Sequence, residues 1–474
     1  AAALARIDGV AAAHPAPVAF ADEDPETPTV PIGAVAGQVV SEGLDRMGVP
    51  ALEPLASGGR GLTIAVLDLG FGTGVAARQQ AAELPPAGRL ETRSFDATAG
   101  LAGTNAYGNA TNHGELVAQT VYDYAPEARY VFVNYHTDQD FLAAVDWLIQ
   151  RRPDIVVHSN SFLEGPFDGT GPAAQAVDRA AAAGILWVNS AGNYGEGHWT
   201  GTWADADQDD VLDWPVDPAW AFPRDAGQPI TFALSWPSPR GAQPPDLDLF
   251  LQRQEADGTW TTVASSTDRQ SAGAPPAERI TGYSPAQGGT FRVRVALVSG
   301  PPPAGPLVMF SREIRMDAIG GGAASSIPTP GDAAGSLTVG AVDWRGNRPK
   351  AYSSQGPTDD GRLKPDVVAP TNTRLAGPTG PREVGGTSNA APNAAGAAAV
   401  LLAAQRAAGL NPGAADMRDL LIRTALDLGA PGPDDAYGAG RVRVDVDPPS
   451  LTPVATAPLT LPVRGSVKVL ADAE

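Results

Sequence analysis

Gly385-Gly386-Thr387-Ser388-Asn389-Ala390-Ala391-Pro392-Asn393-Ala394-Ala395-Gly396 runs directly into Ala397-Ala398-Ala399-Val400-Leu401-Leu402. A serine follows two glycines and a threonine, at the head of a long run of small and apolar residues. The run predicts a buried helix with Ser388 at its start. Backbone N–H groups there have no intrahelical acceptor, and the positive end of the helix dipole favours an anion nearby. Gly385 and Gly386 let an extended ligand approach the backbone closely. Ala390, Ala391, Ala394, Ala395 and Gly396 suit tight packing on a sheet, and Pro392 is expected within the first turn, where its missing N–H is tolerated. A capped alanine-rich core helix would read the same way, so the rest of the chain decides.

The 474 residues suffice for two or three domains and for one large core. Hydrophobic content of 43% with 18% charged residues fits a soluble globular protein. A formal charge of -20 argues against nucleic acid or an anionic membrane surface as partner, and no apolar run reaches the ~18 residues that membrane insertion needs. The absence of cysteine excludes disulfides, thiol catalysis and Cys-ligated zinc. A secreted protein of this composition would need another staple, such as bound calcium. A first residue Ala1 is expected of a processed product, which permits secretion. An imidazole mechanism must choose among His14, His113, His136, His158 and His198.

Residues 1–35, rich in Ala and Pro and carrying Asp22-Glu23-Asp24-Pro25-Glu26, are expected to form an extended N-terminal lead, the possible remnant of a removed segment. Val40, Leu44 and Met47 recur at helical spacing between 37 and 52 and predict a short amphipathic helix. Thr63-Ile64-Ala65-Val66-Leu67-Asp68 is a continuous apolar run ended by Gly70, the pattern of a buried parallel strand. Asp68 falls at its carboxyl end, the edge where open α/β sheets bind ligands. A carboxylate in so apolar a run is costly without a partner. In Asn112-His113-Gly114-Glu115, Asn112 and Glu115 resemble a capping pair, which would place His113 in a first helical turn, and Gly114 suggests that something passes close by.

Strand and helix patterns then alternate as far as Ile185-Leu186-Trp187-Val188-Asn189, which ends in Ser190-Ala191-Gly192-Asn193. This predicts an α/β fold: a mostly parallel sheet with helices on both faces. The alternation breaks after Asn193. Ile230, Phe232 and Leu234, then Leu247, Leu249 and Leu251, then Phe291, Val293 and Val295 show period-two patterns between Pro/Gly/Asp turns. They predict an all-β sandwich inserted over 214–312 between catalytic-type segments 36–213 and 313–445, with 446–474 a tail or linker. The loop before it offers Asp205, Asp207, Asp209 and Asp213 as oxygen ligands for a possible structural calcium, although it lacks the Gly and Glu of an EF-hand loop.

Asp68, His113 and Ser388 thus stand in an order and at positions expected to share one sheet edge. A serine hydroxyl needs a base to take its proton, and an imidazole needs a carboxylate to fix its tautomer. With Ala65-Val66-Leu67-Asp68-Leu69-Gly70, His113-Gly114, Ser190-Ala191-Gly192-Asn193 and Gly386-Thr387-Ser388-Asn389-Ala390-Ala391-Pro392, the chain resembles the subtilisin-like serine endopeptidases over about 36–200 and 313–443. Ser353-Ser354-Gln355-Gly356-Pro357 and Lys364-Pro365-Asp366-Val367-Val368-Ala369-Pro370 are further family-like runs.

The resemblance implies Ser388 as nucleophile, His113 as general base, Asp68 as its orienter and Asn193 as oxyanion donor. It also implies substrate bound as an added strand along Ser159, Ser161, Phe162 and Gly165 and near Gly192. Three residues depart from the family pattern: Glu115, which could bias the cleft towards basic side chains, and Asn389 and Asn393. The expected protein is a secreted monomer cutting protein or peptide substrates. The competing readings are a non-catalytic binding protein on a decayed protease scaffold, and an esterase or amidase with the same triad.

Overall fold

The computed structural model describes residues 16–22, 39–216, 220–237, 243–270, 276–377 and 380–446. In the α/β part, the strands are β1 (Phe20–Ala21), β2 (Thr63–Asp68), β3 (Leu90–Ser94), β4 (Arg129–Asn134), β5 (Ile155–His158), β6 (Asn160–Ser161) and β7 (Leu186–Ser190). A second group comprises β8 (His198–Gly201), β9 (Ala221–Arg224), β10 (Ile230–Ser235), β11 (Asp246–Gln254), β12 (Trp260–Ser266), β13 (Ala277–Tyr283), β14 (Gly289–Ser299) and β15 (Leu307–Phe310). The α/β part resumes with β16 (Leu337–Asp343), β17 (Val367–Thr371) and the hairpin β18 (Thr373–Gly377) and β19 (Gly380–Val384). The helices are α1 (Gly43–Arg46), α2 (Glu53–Ala56), α3 (Val75–Gln80), α4 (His113–Tyr124), α5 (Asp138–Arg151), α6 (Pro172–Ala182), α7 (Thr387–Ala407) and α8 (Ala414–Arg423).

Seven strands form one parallel sheet in the order β17-β16-β7-β5-β2-β4-β3. Both faces are covered. Ile64 and Val66 of β2 face α4, α7 and α8, while Ala65 and Leu67 face α5 and α6. Helices on both sides remove any solvent face, which is why β2 reads as an unbroken apolar run rather than an alternation. A capping box between Thr137 and Asp140 starts α5, and Phe141, Val145 and Leu148 are its buried stripe.

Helix α7 runs through the core with almost every side chain buried. Its small residues permit close approach: a Cβ on Gly396 would lie 2.3 Å from the Tyr124 ring of α4. Pro392 is the sixth helical residue, in the second turn rather than the first. Its lack of an N–H therefore does remove a hydrogen bond, the one that would reach back to the Ser388 carbonyl.

The amphipathic helix expected over 37–52 is reduced to the single turn α1, a 3₁₀ turn at Val49–Ala51 and the single turn α2. Gly48 at φ 75° ends the first turn, and Val40 is 51% exposed instead of lying on a buried stripe. The C-terminal tail from residue 447 onward lies outside the described residues.

Strands β8 to β15 make two four-stranded antiparallel sheets, β13-β10-β15-β8 and β12-β11-β14-β9. Phe232, Leu234, Leu247, Leu249, Phe291 and Val293 meet in an apolar cluster between them. The pairing begins before residue 214: β8 pairs with β15, and Val211 bridges Ala296. The first sheet is buried on its outer face as well. Ala233, Val308 and Phe310 pack there against Leu163, Phe167 and Tyr194 of the α/β part.

Candidate active site

Asp68 closes β2 at the carboxyl edge of the sheet and is fully buried. Its carboxylate accepts the Leu69 N–H at 2.8 Å and lies against His113 Nδ1, at 2.8 Å from Oδ1 and 2.9 Å from Oδ2. With Nδ1–H held this way, Nε2 is the basic nitrogen of the neutral ring. His113 is the first residue of α4. The glycine after it is required by the approach of β2: a Cβ on Gly114 would stand 2.9 Å from Asp68 Cβ and 3.0 Å from both the Gly70 carbonyl and the Phe71 ring.

The capping pair expected of Asn112 and Glu115 does not form, because the Asn112 side chain makes no cap bond and Glu115 is committed elsewhere. Its buried carboxylate takes Arg78 Nε at 2.8 Å and Gln119 Nε2 at 3.2 Å. A group paired this way in the interior does not bias the cleft towards basic side chains, so that expectation is corrected. Asn389 and Asn393 are likewise absorbed structurally. Asn389 Oδ1 accepts from Thr373, and Asn393 Oδ1 accepts the hydroxyls of Ser41 and Tyr124.

Among the described histidines, His158 and His198 are core groups, each held neutral with its pKa pushed down to about 4 by burial. His158 bridges Tyr135 and Asn189, His198 meets the Gly322 carbonyl, and His136 lies near Thr104. Only His113 of these four faces a carboxylate. His14 lies outside the described residues.

Ser388 is the second residue of α7, after Gly386 at φ 98°. Its carbonyl, deprived of an intrahelical donor by Pro392, accepts the Ser159 hydroxyl at 3.4 Å. Its N–H donates at 3.0 Å to the carbonyl of Asp22. Asn193 follows β7 and Gly192, which adopts φ 99°. The Asn193 Oδ1 accepts both the N–H and the hydroxyl of Thr387 at 2.9 Å, so its amide NH₂ is oriented as the donor end of the side chain.

Asp22 belongs to the segment expected to be an extended lead, and residues 16–22 lie in the cleft. Strand β1 pairs antiparallel with β6, Phe20 opposite Ser161 and Ala21 opposite Asn160. The Asp22 N–H donates to the Ser159 carbonyl at 3.1 Å. The Asp22 carbonyl thus meets the Ser388 N–H, and burial pushes the pKa of the Asp22 carboxyl up to about 6 although the nearby Ser190, Ser161, Arg312 and His113 pull the other way.

Of the other expected substrate-binding residues, Ser159 and Ser161 touch this strand. Gly192 N–H is tied to the Thr387 hydroxyl at 3.2 Å. Phe162 instead turns into the core beside Tyr135 and Phe141, and Gly165 bonds to Ser235 of β10. Asp22, Ser190 and Thr387 were not foreseen. The apolar residues Val18 and Phe20, two apart, were the available signal of a strand.

In the acidic loop the carboxylates of Asp205, Asp207 and Asp209 lie within 4.8 Å of one another, a donor set that suits a hard divalent cation. Asp207 is pushed up chiefly by the Asp209 charge. Asp213 is not part of this group and instead accepts the Ala206 N–H at 2.7 Å.

No helix among the described residues is long and apolar enough to cross a membrane. Residues 311–440 match the Subtilase family. The solved structure of the CspB protease of Clostridium perfringens is similar over 85% of this chain and 95% of that one, with a TM-score of 0.55 and 15% sequence identity, a likeness of fold. The segment that carries Ser388 is thus similar to the Subtilase family, and the α/β fold of the chain to that of a solved protease.

Proposed function

We propose that this serine protease is an endopeptidase working through an acyl-enzyme on Ser388. The observation that carries the reading is a peptide carbonyl, that of Asp22, received by the Ser388 N–H while its strand is paired to β6. A cleft that binds extended polypeptide by backbone hydrogen bonds favours peptide-bond hydrolysis over the ester and amide alternatives. The paired Asp68 and His113 favour it over a decayed scaffold. His113 Nε2 takes the Ser388 proton as Oγ attacks and then gives it to the leaving amine, while Asp68 stabilises the imidazolium. The Ser388 N–H and the Asn193 NH₂ stabilise the oxyanion.

The test is labelling of the full chain with a fluorophosphonate, alongside Ser388→Ala, followed by digestion of a denatured protein. Labelling of the wild type alone, with cleavage of protein, is the expected result. A folded chain that neither labels nor cuts would overturn it. Secretion and a structural calcium held by Asp205, Asp207 and Asp209 belong to the same proposal. A chelator that leaves the melting temperature unchanged would remove calcium from it.

A further inference from the structure

The side chain of Asp22 is held as closely as its carbonyl. The residue is fully buried, and both carboxylate oxygens are received: Ser161 Oγ lies 2.9 Å from Oδ1 and 2.7 Å from Oδ2, and Ser190 Oγ lies 2.6 Å from Oδ2. The Arg312 guanidinium donates to the adjacent Ala21 carbonyl. Burial pushes the pKa of the Asp22 carboxyl up to about 6, against the opposing pull of the Ser190 and Ser161 hydrogen bonds and the Arg312 charge. Two residues upstream Phe20, 2% exposed, enters an apolar recess made by Leu163, Phe167 and Tyr194 together with Val308 and Phe310 of β15. The antiparallel sheets thus supply one wall of the cleft.

We propose that this cleft selects aspartate immediately before the bond that is cut, with Ser161 and Ser190 as the residues that set the preference. The proposal rests on the endopeptidase reading and adds its substrate class: chains with an aromatic residue, a small residue and then aspartate. A short acid satisfies both hydroxyls within a closed pocket. Glutamate is a methylene too long, and lysine or leucine would leave two buried hydroxyls unpaired.

The Asp22 carbonyl sits at the Ser388 N–H, at a distance suited to oxyanion stabilisation. In the step itself Ser388 Oγ bonds to the carbonyl carbon of the substrate aspartate. The C–N bond to the next residue breaks, and the serine proton passes through His113 to the leaving amine. Water then hydrolyses the ester, leaving the aspartate with a free α-carboxylate and restoring Ser388.

The experiment follows cleavage by the full chain of added peptides that carry Phe-Ala followed by Asp, Ala or Lys, and reads the ratio of kcat/KM, to which the segment already in the cleft is indifferent because it competes with all three alike. The wild type is expected to cut after the aspartate, and Ser388→Ala is expected to cut none of them. The Ala and Lys peptides should be cut ~10²-fold or more slowly than the Asp peptide, the effect of losing two hydrogen bonds to a charged group. The pocket variant Ser161→Ala with Ser190→Ala should slow the Asp peptide by a similar factor while cutting the Ala peptide faster than the unmodified pocket does. A merely structural role of the two serines would not produce that reversal. Cleavage at another position, or equal rates with Asp, Ala and Lys, in a chain whose Ser388 labels with fluorophosphonate, overturns this proposal alone. Absence of labelling overturns it together with the endopeptidase reading.

Discussion

The Ser159 hydroxyl donates to the carbonyl of Ser388 at 3.4 Å, where an N–H from residue 392 would sit in an unbroken helix. The residue whose carbonyl receives the Asp22 N–H thus also repairs the helix of Ser388, because Pro392 can donate nothing. Ser159→Ala should lower stability by about 1 kcal/mol. In a Pro392→Ala background, where the backbone donor returns, the same change should cost clearly less. Urea unfolding of the four chains of this double-mutant cycle measures the coupling, and equal costs in both backgrounds would refute the link.

Gly114 is the second place where backbone sterics hold the site. Its missing Cβ is what lets α4 lie against Asp68 Cβ and the Gly70 carbonyl. Gly114→Ala forces these atoms apart and should destabilise by about 1–3 kcal/mol. The displacement falls on the Asp68–His113 pair, so turnover should drop further than stability alone explains, measured as kcat at a temperature where the variant remains folded.

The parallel sheet, the order of its motifs and the places of Asp68, His113 and Ser388 at element ends could be read in the sequence because each depends on local pattern. Ile64 to Leu67 is apolar throughout since helices cover both faces, and Asp68, His113 and Ser388 each mark an element end. What was illegible depends on tertiary pairing. Glu115 reads as a capping residue until Arg78, 37 positions away, reaches it. Asp22 reads as one of several acids in a lead segment, and only the fold brings it to Ser161 and Ser190. Pro392 was misplaced because the helix begins at Thr387, five residues earlier.

The Arg78–Glu115 pair is nearly sealed from solvent, with side chains 3% and 0% exposed. Arg78→Ala leaves a buried carboxylate without its counter-ion and should cost about 3–5 kcal/mol, whereas replacing both partners with apolar residues of similar volume should cost much less. Chemical denaturation compares the two. A single variant no less stable than the double one would show that the pair is solvated in practice.

Asp332 gives a pH dependence whose sign follows from burial. It is fully buried, it takes the Gly169 N–H at 2.8 Å, and burial pushes its pKa up from 3.8 to about 7. Between those values the folded chain keeps a proton that the unfolded chain has released. Its contribution is therefore complete below pH 3.8 and is lost as pH rises through about 7. Asp332→Asn, which stays neutral, should flatten the fall in melting temperature across that window. An unchanged profile would assign the dependence to another group.

Asn193 tests whether the proposed oxyanion donation and the anchoring of α7 can be separated. Its Oδ1 anchors the first residue of α7 through the Thr387 N–H and hydroxyl, which leaves the NH₂ as the donor end of the side chain. Asn193→Ala removes both functions, so kcat should fall by about 10²–10³-fold and stability should fall with it. Asn193→Asp keeps an acceptor for Thr387 while replacing the donor with a negative oxygen. Its kcat should fall at least as far, with KM little changed and with a smaller loss of melting temperature than the alanine variant. If the aspartate variant kept most of the turnover, the Ser388 N–H alone would be sufficient, and Asn193 would be a helix anchor rather than a catalytic residue.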